Sequence, residues 1–169
     1  EEAFAQGNLH AGIKLNEIFG DNRIFEAQVN TEKLDRTLSW DPLDIARKAA
    51  EGGFEEQASI WYAIGCETGD IEAVRELTSL VTQTNPRLAW TLVEFGRLLG
   101  ADITVSEAFA IDEYGNDYDD EVGGPAYADE IPGVDVIPVS NPDYALAKSV
   151  ASEWFIQLTN TGKATIDLG

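Results

Sequence analysis

Between Leu98 and Ala147 the chain carries twelve acidic side chains and no basic one. Carboxylates at that density, without compensation, repel one another in a compact element. Inside it, the run IDEYGNDYDDEVGGPAYADEIPGVD from Ile111 to Asp135 is broken by Gly115, Gly123, Gly124, Pro125, Pro132 and Gly133. Such residues punctuate helices and strands. The pattern predicts a long, solvated acidic loop over residues 111–140. Long loops of this kind are commonly either functional or disordered.

The flanking sequence is helical in period. Three segments open on the same pair of residues: Asp41-Pro42, Asn85-Pro86 and Asn141-Pro142. In each, the Asp or Asn can cap free amide groups, and Pro takes the first helical position, where its missing N–H costs nothing. Leu88, Leu92, Phe95 and Leu99 then fall at helical spacing before Gly100, and Ala147, Val150, Trp154 and Leu158 do so before Gly162. Between Gly52-Gly53 and Thr84-Asn85 two more helices are expected. One carries Phe54, Ala58, Trp61 and Gly65, and the other carries Ile71, Val74, Leu77 or Thr78, and Val81 behind Asp70 as N-cap. Short connections favour antiparallel neighbours. Residues 41–100 thus read as a four-helix core, and residues 141–160 as a C-terminal helix. Among the first forty residues, Glu2 to Phe19 fits a helix, whereas Arg23 to Val29 fits either a short strand or a helix running to Leu38. The expected class is all-α, as antiparallel helical hairpins in a solenoid or bundle.

With 169 residues and 44% hydrophobic side chains, the chain has enough apolar material for one core, so a single helical domain over residues 1–169 is expected. The formal net charge of −20 excludes a basic nucleic-acid surface. No run of about 18 apolar residues is present to cross a membrane. Cys66 is the only cysteine, which excludes disulfide frameworks and cysteine-ligated zinc. The chain has no Met and begins Glu1-Glu2, so a processed form and an excised segment are both open. The compartment is open as well.

The stretch from Asp44 to Ala58 (DIARKAAEGGFEEQA), followed by Trp61-Tyr62-Ala63-Ile64-Gly65 and Gly69-Asp70-Ile71-Glu72-Ala73, resembles the Sel1-like and tetratricopeptide group of helical repeats. The similarity covers Asp41 to Gly100, and no self-match at a fixed spacing of about 34 residues recurs. The resemblance implies helical hairpins in which Ala49, Ala50, Ala58, Ala63, Gly65 and Ala73 sit where helices approach closely. It also implies a scaffold that binds protein partners.

The candidate site is the acidic segment. Tyr114, Tyr118 and Tyr127 interleave with Asp117, Asp119, Asp120 and Glu121, an arrangement of aromatic anchors within a strong negative field. It suits a basic partner surface, including that of a toxin or nuclease neutralised by an acidic inhibitor, immunity-type protein or DNA mimic. A place in a larger bacterial or phage assembly fits the same features. Asp117, Asp119 and Glu121 also share the i, i+2, i+4 spacing of calcium-loop ligands. Counted as an EF-hand, however, position 6 is Val122 and position 12 is Ala128, where Gly and Glu are needed. Trp90 lies off the Leu88–Leu99 stripe, so both a partner groove and the core are open to it. Catalysis has little to work with. His10 is the only histidine and has no nucleophile signature beside it, and Cys66 sits next to Glu67, which disfavours a thiolate. No enzyme activity and no cofactor are expected.

Overall fold

A computed structural model describes residues 12, 14, 20, 42–118 and 124–169, and three of its described helices begin on a side-chain cap. Helix α1 (Pro42–Glu51) turns Leu43, Ile45, Ala46 and Ala49 inward. After Gly52-Gly53 comes α2 (Glu55–Cys66). Then α3 (Ile71–Val81) starts on Asp70, whose carboxylate accepts the Glu72 and Ala73 amides at 2.9 and 3.1 Å. Asn85 caps α4 (Pro86–Leu98) by accepting the Leu88 amide at 3.2 Å. The last helix, α5 (Asn141–Thr161), is capped one residue earlier than its Asn-Pro pair predicts. Ser140 Oγ accepts the Asp143 amide at 3.3 Å and donates to the Asp143 carboxylate at 2.6 Å. The helix ends at Gly162, which has a left-handed φ of 75°.

The fold is mainly helical, but it is not all-α. Two strands, β1 (Glu107–Ile111) and β2 (Tyr127–Ile131), pair antiparallel, with Phe109 opposite Asp129 and Ile111 opposite Tyr127. Ile111 and all of β2 fall in the segment expected to be a loop. The charge argument fails here because a two-stranded ribbon open to water does not desolvate its carboxylates. All five residues of β2 are exposed, so Asp129 and Glu130 remain solvated while the backbone pairs.

Each helix packs chiefly on the helix before and after it in the chain. The shared core runs from Ile45 and Ala49 through Trp61, Leu77, Leu92 and Phe95 to Trp154. At the α2–α3 crossing the helices come so close that a Cβ on Gly65 would lie 2.6 Å from Ala73 Cβ. Phe95 meets Trp154 edge-on, with centroids 5.8 Å apart. Beyond α5 the chain returns across the core. The Ala164 amide donates to Glu67 O at 2.8 Å, Lys163 pairs with Glu67 at 2.6 Å, and Ala164 is buried. The expectations for residues 1–40, including that for His10, lie outside the described residues except at residues 12 and 14, which are helical.

Candidate partner-binding arm

The ribbon is anchored by backbone contacts that use few charges. Arg75 on α3 donates to the carbonyls of Pro132 at 3.0 Å and Ile103 at 3.4 Å, so one guanidinium gathers the outgoing and returning chains. Thr82, about two turns further on, donates to Asp135 O at 3.3 Å and accepts the Ile137 amide at 3.3 Å. Trp90 Nε1 donates to Ile137 O at 2.9 Å. Between the two chains the Val134 amide reaches Ile103 O at 2.8 Å. A side chain on Gly133 would lie 2.3 Å from Thr104 O, so the base closes only around glycine. An open cleft of about 510 Å³ runs beside this clamp, lined by Glu76, Ser79, Gln83 and Asp135 among others.

Below the clamp lies a satisfied polar cluster. Glu94 is nearly buried, and its carboxylate accepts from Tyr144 Oη at 2.8 Å and Arg97 at 2.6 Å, with Lys148 Nζ at 3.9 Å. The bond to Glu94 pushes the Tyr144 phenol above its ordinary range. Tyr144 stands edge-on to Trp90, with centroids 5.3 Å apart. Arg97 also reaches Asp102 at 3.1 Å, and Asp102 accepts the hydroxyl and amide of Thr104. The Thr104 hydroxyl, followed by its amide and Arg97, holds the Asp102 carboxyl below the usual range. Every member has a partner, so the cluster ties α4, α5 and the root of the arm together.

At its tip the arm turns tightly. Asp112 accepts the amides of Tyr114 and Asn116, both at 2.8 Å, and the Asn116 side chain at 3.1 Å. Those bonds, that of the Asn116 side chain foremost, hold the Asp112 carboxyl below its ordinary range. The chain then folds back beside β1: Asp117 bridges to Ile111, and the Tyr118 amide donates to Ala110 O at 3.0 Å. Tyr118 Oη donates to Gly124 O at 3.2 Å.

The expected contact residues divide accordingly. Tyr114 is 80% exposed and Tyr127 51% exposed, and both are on the arm. Tyr118 and Asp117 shape its tip. Asp119, Asp120 and Glu121 lie outside the described residues, as do two of the three calcium candidates. Among the described residues, no group of three His, Cys, Asp or Glu side chains is placed to hold a metal ion. Trp90 lies away from the exposed tip and holds the arm's return. Cys66 is fully buried, and that burial, with Asp70 contributing less, pushes its thiol well above the ordinary range. No described helix is long and apolar enough to cross a membrane. Sequence reasoning missed Arg75, Thr82 and Gly133. Only Gly133 carried a local signal, because a glycine inside a strand-like run marks close backbone approach. Comparison with family models, curated proteins and solved structures finds no match for this chain.

Proposed function

We propose that this protein is a non-catalytic interaction module of helical-repeat type, in which the helices hold out the acidic arm as the contact surface. The observation that carries the reading is the exposure of Tyr114 and Tyr127 on a ribbon that bears only negative charge. Aromatic side chains make efficient interface anchors, and a one-sign field speeds encounter with an opposite surface. Packing between successive helices supports the helical-repeat part of the reading, because in such arrays each unit rests on its neighbours. The inhibitor reading differs in where the binding energy resides. The uncompensated carboxylates favour it if the partner is a basic toxin or nuclease.

The test is capture on immobilised protein, eluted first at low and then at high salt, in parallel with a Tyr114→Ser/Tyr127→Ser variant. A stoichiometric partner retained by the parent and lost by the variant supports the module. Release of that partner by salt alone favours the inhibitor form. Equal retention by the variant removes the arm from the interface.

A further inference from the structure

Building on that reading, we infer that the outer edge of β2 is an addition site for an extended, cationic peptide segment of the partner, which joins the ribbon as a further strand. The argument begins with the register. The Tyr118 amide bonds to Ala110 O, so the Ala110 carbonyl points away from β2. Ala110 lies opposite Ala128, and Ala108 opposite Glu130. In an antiparallel ladder, opposed residues alternate between bonding one another and pointing outward. Ala128 and Glu130 therefore present their N–H and C=O groups to the outer edge, where no strand is paired among the described residues. In line with this, the Glu130 amide is held at 2.8 Å by the neighbouring Asp129 carboxylate and not by a ladder partner.

The two faces beside that edge specify the occupant. One carries Ala108, Ala110, Ala128 and Glu130, a shallow surface that leaves room for side chains of an added strand. The other carries Phe109, Ile111, Tyr127 and Asp129. A strand laid along β2 thus has an acid beside it on each face, Glu130 on one and Asp129 on the other. Lys or Arg at successive positions meets both, and opposite charges side by side stabilise a ribbon. A second copy of this chain is the wrong occupant, because its own Asp129 and Glu130 would be brought against like charges. Edge addition takes affinity from the backbone and selectivity from alternating side chains, so the arm reads an extended cationic segment without a deep pocket.

The probe is a fluorescent eight-residue peptide with Lys at two successive central positions and Val and Thr on either side. It is compared with the same peptide N-methylated at every residue, which keeps the charge and removes the donors of both strand edges. The parent peptide is expected to bind the full chain, to weaken as salt rises, and to slow amide exchange at Ala128. The methylated peptide is expected to bind about tenfold more weakly or worse, since two or more hydrogen bonds are lost. The Asp129→Asn/Glu130→Gln variant leaves the backbone edge intact and should lower affinity for the parent peptide. Equal binding of the two peptides overturns strand addition and leaves only ionic attraction. Failure of both to bind also overturns it, as does an Ala128 amide already protected in the free chain. None of these results touches the Tyr114 and Tyr127 test above, so the module reading stands or falls separately.

Discussion

Gly65 has no room for a side chain, because the atom a Cβ would meet belongs to Ala73, fixed to the backbone of the next helix. Gly65→Ala gains up to about 1 kcal/mol of helix propensity but forces two helices apart, and overpacking costs about 1–3 kcal/mol. The expected result is net destabilisation, seen as a lower denaturation midpoint, with recovery when Ala73→Gly is added. Recovery would assign the effect to the crossing and not to α2 alone. Asp112 is a different kind of determinant, since its partners lie within the turn it organises. Its carboxyl is held below the ordinary value, so the turn's stabilisation is present above about pH 4 and is lost as pH falls through the folded-state pKa. Titration by NMR should show the Tyr114 and Asn116 amides moving together, with a midpoint below that of an unstructured Asp. A midpoint at the unstructured value would remove Asp112 as the organiser.

The helices were legible because their signals are local. Asp70 and Asn85 cap where their spacing predicts, and the stripes through Leu77, Leu92 and Trp154 are buried. The ribbon was not legible, because its strands are short, are set within a charged segment, and are fixed by contacts to residues far away in sequence. Arg75 binds Pro132 across 57 positions and Trp90 binds Ile137 across 47, which no local pattern encodes. Trp90 shows the limit well. Its place off the helical stripe was visible and favoured the core over a partner groove, but neither reading foresaw the Ile137 carbonyl that accepts from it. Trp90→Phe keeps an aromatic ring beside Tyr144 and removes that one bond, worth about 1 kcal/mol. Stability should fall by about that amount plus the cost of the smaller ring, and hydrogen exchange should quicken in the ribbon more than in α3. Uniform quickening in both would mean that Trp90 supports the core alone and does not clamp the arm.

Across the molecule, the net charge of −20 sets a repulsion that the helical core must withstand, and the charge is unevenly placed. The residues outside Leu98–Ala147 mix both signs. Their ion pairs, such as Arg47 with Glu72 and Lys163 with Glu67, join elements of the helical body. The arm carries no Lys or Arg of its own, so its carboxylates repel one another and the acidic body. Salt screens separated surface charges within about 10 Å at 0.1 M, and it weakens exposed ion pairs over the same range. Exposed pairs contribute little, with a median of about 0–1 kcal/mol, so relief of repulsion is the larger effect. The melting temperature should therefore rise with sodium chloride between 0.01 and 0.5 M, by a few degrees if about 1 kcal/mol is recovered. In a variant with Asp117→Asn, Asp129→Asn and Glu130→Gln, the rise should shrink while helicity by circular dichroism stays unchanged. A parent whose melting temperature falls with salt would show that ion pairs dominate. In that case the arm's charge would not be a load on the fold, and the core would owe more to its few cations than their exposure suggests.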